Sequence, residues 1–279
     1  MLAYRHLFHA GNFADVFKHA LLTRLLLALQ RKDKPFFYLD THAGIGRYDL
    51  QHAWAAKLAE HRDGIDRIWG RDVPAVLKPY LEAVQAENRK GDLRFYPGSP
   101  CIAQRFLREG DRMDLVELNR EDCGALARLF KDDARVHVHC MDGYQALKAF
   151  LPPRERRGLV LVDSSFDRAH EFERLVEGLE VAHKRWATGV FVLWYPLMEA
   201  NAIRGFERAV VRTGIRRILR LELSVLPETW NQGLRGSAML VVNPPFGLDQ
   251  EARPLLDWLW KMLAEAQTGG SRVEWLVPE

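Results

Sequence analysis

The stretch Pro35-Phe-Phe-Tyr-Leu-Asp40, followed at once by Thr41-His-Ala-Gly-Ile-Gly46, decides the fold. Its apolar run is short and almost unbroken, as in a strand covered on both faces, and it ends in an acid and a glycine-rich turn. Six more runs of this kind follow: Asp114-Leu-Val-Glu117, Arg135-Val-His-Val-His139, Gly158-Leu-Val-Leu-Val-Asp163, Gly189-Val-Phe-Val-Leu-Trp194, Ile218–Val225 and Ala238–Asn243. Segments with helical periodicity fill most gaps, over 13–29, 120–130, 167–185 and 199–213, with a last one over 253–266. In the first of these, Phe13, Val16, Phe17, Ala20, Leu21 and Leu25 recur at three- and four-residue spacing behind Asn12, a natural N-cap. The alternation predicts an α/β, doubly wound architecture: a seven-stranded, mostly parallel sheet flanked by helices. No helix-length segment separates Val225 from Ala238, so the last two strands are expected to form an antiparallel pair at one edge.

Residues 50–97 break the rhythm. Trp54, Leu58, Ile65, Ile68, Trp69, Leu77, Tyr80, Leu81 and Val84 occur there without a strand-like run, which predicts a helical insertion. The expected division is therefore 1–49 with 98–279 as the main domain and 50–97 as an inserted helical subdomain. The chain has 279 residues, 48% of them hydrophobic, enough for one large core and too apolar for wholesale disorder. With 40 Lys+Arg and 37 Asp+Glu the net charge is +3, a total that says little about partners. No apolar run approaches the roughly 20 residues that cross a bilayer. The N-terminal Met1–His19 stretch interrupts its apolar residues with histidines and an acid, unlike a signal peptide, so a cytoplasmic protein without membrane contact is expected. Cys101, Cys123 and Cys140 contain no C-x-x-C spacing and predict neither a disulfide framework nor a thiolate metal site.

Ligands of open α/β sheets sit at the carboxyl ends of the strands, so the strand-end residues carry the functional reading. The turn after Asp40 lets backbone amides approach a nucleotide-like ligand. A dinucleotide fingerprint wants a third glycine where Asp49 stands, which weakens an oxidoreductase reading. Glu117 ends the second strand, where a carboxylate can accept from both hydroxyls of a ribose; the bland alternative is a helix-capping strand end. Asp142-Gly143 follows the third strand, either to accept from an adenine amine or as an ordinary acid-glycine turn. Glycine-rich turn, acid, acid, in that order, describe an S-adenosylmethionine site better than a dinucleotide site. The fourth strand ends in Asp163-Ser-Ser-Phe166, the corner where methyltransferases of base amines carry an acid, two prolines and an aromatic ring. There the acid holds the amine and the ring stacks on the base, with no metal or covalent intermediate.

Asn243-Pro-Pro-Phe246 matches that corner literally but follows the seventh strand, and is expected to be a structural turn. The N-terminal segment Tyr4-Arg-His…His9-x-Gly-Asn12-x-x-Asp15-x-x-Lys18-His19 concentrates residue types that contact bases and phosphates. His6-x-x-His9 lacks a suitably spaced third ligand, and no metal is expected. Arginines at 154, 156 and 157, at 204, 208 and 212, and at 216, 217 and 220 are solvated faces or, taken together, a phosphate-tracking surface beside the cleft. Ser224 and Ser237 have no His/Asp partners at a recognisable elbow, so acyl transfer finds no support.

Several motifs together resemble the RlmJ family of 23S ribosomal RNA adenine-N(6) methyltransferases. They are Tyr4-Arg-His…Phe8-His-Ala-Gly-Asn12…Asp15-Val…Lys18-His19, Tyr38-Leu-Asp-Thr-His-Ala-Gly44-x-Gly-Arg-Tyr48, Tyr96-Pro-Gly-Ser-Pro100, Leu193-Trp-Tyr-Pro196 and Trp275-Leu-Val-Pro-Glu279. The resemblance spans essentially the whole chain. It implies a Rossmann-like class I methyltransferase fold with a small helical insertion; a monomer is expected, acting on naked or partly assembled 23S rRNA because helical RNA hides the base edge. It also implies S-adenosyl-L-methionine contacts from His19, His42, Ser99, Glu117, Asp142, Gly143 and Asp163. Asp163 would orient the adenine amine with Phe166 beside it, and Tyr4 and Lys18 would lie near the RNA. Ser164 and Ser165 depart from the proline-rich corner and lose the fixed φ of proline. The alternative is thus a cofactor- and RNA-binding protein of the same fold with weakened catalysis.

Overall fold

Every residue of strand β1 (Phe37–Asp40) is buried, and the strand pairs in parallel on both sides. In the computed structural model, residues 6–166, 170–230, 232–265 and 268–279 are described, so Tyr4 and Arg5 lie outside the described residues. Upstream of β1 runs helix α1 (Phe13–Gln30), which opens as expected with the Asp15 N–H donating to the Asn12 side chain at 3.0 Å. The helix is buried nearly all round, Asp15, Lys18 and His19 included. It packs against the sheet on one side and against the segment following β1 on another.

That segment begins at β2 (Arg47–Asp49) and contains α2 (Ala53–Leu58), two 3-10 turns, and α3 (Lys78–Glu87) before β3 (Phe95–Pro97). β2 and β3 pair antiparallel and close its neck, so its last three residues are strand rather than helix. Ile65, Ile68, Tyr80 and Val84 join Phe17, Leu21 and Leu25 of α1 in one apolar core. Contact is close enough that a Cβ on Gly64 would stand 2.1 Å from the Gly11 carbonyl oxygen.

The chain then alternates as read from the sequence: α4 (Ser99–Arg105), β4 (Arg112–Val116), α5 (Arg120–Leu129), β5 (Val136–His139), α6 (Gly143–Phe150), β6 (Gly158–Val162), α7 (Glu171–Arg185), β7 (Val190–Leu197) and α8 (Ala200–Arg212). β8 (Ile218–Ser224), β9 (Gly236–Val242), α9 (Leu248–Leu263) and β10 (Gly270–Val277) complete it. The sheet has eight strands, one more than expected, in the order β10-β8-β9-β7-β6-β1-β4-β5. β5, β4, β1, β6 and β7 are parallel neighbours. β9 wedges antiparallel between β7 and β8, and β10 adds antiparallel outside β8. The predicted antiparallel pair therefore exists, but it is not the edge. The extra strand went unread because only Val273 of β10 is buried, so no apolar run marks it. α9 likewise starts earlier than its predicted 253, since Leu248 and Ala252 already belong to its buried face.

Two further differences concern cysteines and arginines. Cys123 at the start of α5 and Cys140 just after β5 form a disulfide with Cα atoms 5.7 Å apart, which their 17-residue separation did not suggest. Arg157 and Arg216 precede the amino ends of β6 and β8, the face away from the strand ends that bear the acids. Arg157 donates to the carbonyls of Leu29 and Lys34, and Arg220 is bound into Glu207, Glu222 and Glu274. Arg157 and Arg220 thus tie the scaffold together, and none of the arginines in the three clusters lines the cleft at the carboxyl ends of the strands. Asn243-Pro-Pro-Phe246 sits at that same far face because β9 runs backwards. There the Asn243 amide donates to the carbonyls of Ala187 and Gly189.

Candidate active site

The carboxyl ends of β1, β4 and β6, the turn after β5 and the buried face of α1 surround one cleft of about 650 Å³. Among its lining residues are His19, His42, Ser99, Glu117, Asp142, Gly143, Asp163, Lys18 and Phe166, residues scattered over almost 150 positions of sequence. Of the residues singled out from the sequence as site candidates, only Tyr4 lies outside the described residues. Among the described residues no cluster of His, Cys, Asp and Glu is placed to hold a metal ion.

One wall suits a nucleoside. Glu117 is fixed by two backbone donors, Gly44 N–H at 3.0 Å and Asn119 N–H at 2.7 Å, while burial raises its pKa. Gly44 reaches it with a φ of +60°, in the left-handed region that favours glycine. Thr41 donates its hydroxyl to Leu161 O at 3.1 Å, which leaves its oxygen to accept from His42 Nδ1 at 2.8 Å and turns Nε2 out as an acceptor. Asp142 caps α6 by accepting from the Tyr144 and Gln145 amides at 2.9 and 3.1 Å, and its other oxygen accepts from Arg174 at 3.1 Å. Gly143 has no room for a side chain, because a Cβ would lie 2.2 Å from Thr41 O. The donor set, the glycine cradle and a volume typical of small-molecule sites fit S-adenosylmethionine.

The opposite wall is charged and buried. Lys18 Nζ lies 2.5 Å from Asp163 Oδ2 and 2.9 Å from Asp15 Oδ1. Asp15 also accepts from His6 Nε2 and from the Gly11 amide, each at 2.9 Å. Burial by itself would lower the Lys18 pKa; the carboxylates of Asp15 and Asp163 outweigh it and raise it instead. Lysine 18 is thus a buried cation on the cleft wall, not the solvated helix residue that its position suggests. Asp15 pairs with Lys18 across three residues of one helix, a spacing that the sequence itself displays. Phe166 takes a φ of +53° and sets its ring edge-on to Phe172 and Trp194, at 5.0 and 5.8 Å.

Two buried groups oppose each other in acid. Burial lowers the pKa of His19 to about 3, so it is neutral and shares a 2.8 Å hydrogen bond with the Tyr96 hydroxyl. The unfolded histidine protonates near 6.5 and the folded one does not, so His19 withdraws about 1.4 kcal/mol per pH unit as pH falls from 6.5 toward 3. Burial, assisted by the charge of Asp163, raises the pKa of Asp40 to about 6, against the Ser99 hydrogen bond that lowers it. Asp40 is protonated in the folded state first, so it adds stability as pH falls from 6 to its ordinary 3.8 and loses it on the way up. Urea midpoints measured between pH 7 and 4 should therefore fall less steeply toward acid in His19→Gln than in the wild type. Parallel curves would show that His19 is charged in the folded protein.

A mostly parallel sheet with two reversed strands, an acid at the end of β1 and after each of β4, β5 and β6, and a nucleoside-sized cleft define a methyltransferase of the Rossmann-like class. Residues 33–277 match the family described as ribosomal RNA large subunit methyltransferase D, RlmJ. The ribosomal RNA large subunit methyltransferase J of Escherichia coli (strain K12) is 46% identical over 280 residues, covering all of both chains. The protein of the same description from Haemophilus influenzae is 42% identical over 281 residues, again covering all of both. A crystal structure of a Legionella pneumophila protein superimposes with a TM-score of 0.87 at 35% identity, over 95% of this chain and 97% of that one. The chain belongs to the RlmJ family; it is a methyltransferase and S-adenosylmethionine is its methyl donor. No helix among the described residues is long and apolar enough to cross a membrane.

Proposed function

We propose that the chain methylates the exocyclic N6 amine of an adenine in 23S ribosomal RNA, working as a cytoplasmic monomer on naked or partly assembled RNA. The observation that carries this reading is the Lys18–Asp163 pair at the end of β6, beside the rings of Phe166 and Trp194. S-adenosylmethionine, when bound, supplies an electrophilic methyl on sulfur. His42, Ser99, Glu117, Asp142, Gly143 and the buried His19 form its wall, with Asp163 at the junction with the substrate.

Lys18 occupies Asp163 Oδ2, which leaves Oδ1 to accept from the target amine. That hydrogen bond turns the nitrogen lone pair toward the methyl, and the amine sheds one proton toward the carboxylate or solvent as a C–N bond replaces the methyl–sulfur bond, whose electron pair stays on sulfur. Phe166 stacks on the adenine, which must leave its helix because A-form RNA hides its base edges. Lys18 thus acts on the substrate through Asp163. The ion pair supports catalysis despite Ser164 and Ser165: it fixes the carboxylate where prolines would fix the backbone.

Incubating the protein with labelled cofactor and unmodified 23S rRNA tests the reading. N6-methyladenosine in the digested product is the expected result. Its absence, with cofactor binding intact by calorimetry, would favour the binding-protein alternative.

A further inference from the structure

On the rim of the cleft, the 3-10 turn His6–Phe8 meets helix α2 from the inserted segment. Phe8 and Trp54 stack there with ring centroids 5.4 Å apart and planes 9° from parallel. His52 meets the Trp54 ring edge-on at 5.5 Å. Even so, Trp54 remains 44% exposed and Leu58, a turn further along α2, 49%. The same wall continues into the cleft through His9, which is bonded to Glu60 at 3.0 Å; both line the cavity. Lys57 on α2 and Arg62 in the 3-10 turn that follows it are exposed and form no ion pair among the described residues. Arg67, a few residues further along, is paired with Asp63 and Glu265.

We infer that the Phe8–Trp54 stack is a docking site for an unpaired nucleobase of the RNA, a neighbour of the target adenine, with Lys57 and Arg62 meeting the adjoining phosphates. The inference rests on the RNA-methylating function proposed above and assigns a subsite to it. An adenine turned into the cleft abandons its stacking partners, so the nucleotides left at the rim need a replacement surface. A rigid indole, backed by a second ring and open to water, offers that surface to any base. Unpaired cations around an apolar face match a strand whose bases are apolar on their faces and whose backbone is anionic. Of the other exposed large side chains, Leu118 and Met198 line the cleft but offer no aromatic face, and Phe246 lies on the far face of the sheet.

The test measures binding by fluorescence anisotropy, using single-stranded RNA that carries the target adenine and an abasic residue walked along the flanking positions. Wild-type affinity should drop at one flanking position. Trp54→Ala should bind the intact RNA about tenfold more weakly and be indifferent to the abasic residue at that position. Trp54→Phe should restore most of the affinity, and melting temperatures of both variants should match the wild type, since the ring is half in solvent. Lys57→Gln with Arg62→Gln should reduce the salt dependence of binding. Equal affinity of Trp54→Ala and wild type, or identical abasic profiles, would overturn the inference. Failure of the methylation reading looks different: no N6-methyladenosine forms while the Trp54-dependent binding profile persists.

Discussion

Asp163→Asn is expected to reduce methyl transfer by roughly a thousandfold, the scale at which single positioned polar groups contribute to catalysis. The substitution keeps the size of the side chain and changes only its hydrogen-bonding character. Lys18 Nζ donates to Oδ2 of Asp163, so in the variant it selects the amide oxygen for itself. The amide NH2 then faces the target amine, and a donor meets a donor where an acceptor was needed. The fold should survive, because Lys18 keeps its second carboxylate, Asp15, at 2.9 Å. Single-turnover rates with saturating cofactor would isolate this effect, and cofactor affinity by calorimetry should change far less than the rate. Transfer at the wild-type rate would remove Asp163 from its role.

Lys18→Met is expected to destabilise the protein by about 3–5 kcal/mol, because it leaves buried carboxylates without their cation. Asp15 is 2% exposed. Burial works to raise its pKa, yet the charges of His6 and Lys18 hold it well below the ordinary carboxylate range. A carboxyl with a lowered folded pKa adds stability above its unfolded value and loses it on acidification. Removing the cation reverses this, since Asp15 then titrates above its unfolded value and its ionisation costs stability as pH rises. The deficit of Lys18→Met against wild type should accordingly be larger at pH 8 than at pH 5, as read from urea midpoints. A uniform deficit across that range would show that the loss comes from packing alone. Transfer should fall as well, even at temperatures where the variant is folded.

The parts of this fold that are legible in the sequence are those where burial on both faces writes an apolar run. β1, β6 and β7 are of this kind; β1 and β6 appear within a residue or two of their observed bounds, and β7 runs three residues beyond its expected end at Trp194. Gly270–Val277 escapes because an edge strand buries almost nothing, and β2 and β3 because three residues make no pattern. Spacing along the chain shows that β8 and β9 are adjacent but cannot say which of them lies against β7; that depends on packing across the sheet. At the site, the strand-end acids Glu117, Asp142 and Asp163 follow from the strands themselves. Lys18 does not. Its partner Asp163 is 145 residues away, and a lysine on a helix is by default in water, so burial of this one is a tertiary fact. Asp142 shows the converse limit: the sequence allows both a ligand contact and a turn, and its carboxylate is engaged as a helix cap and with Arg174.

Helix α1 has buried residues on all sides, with Asp15, Lys18 and His19 set among leucines and Phe17. Such a helix has no neutral side on which substitutions can accumulate. A change at Leu21 or Leu25 that leaves every polar group in place still moves the frame from which Lys18 reaches Asp163. Selection for activity and selection for stability then fall on the same residues, and the helix should be among the slowest parts of the chain to diverge. An engineer seeking a more heat-resistant variant would do better to leave it alone and begin at the far face, around Asn243 and Phe246.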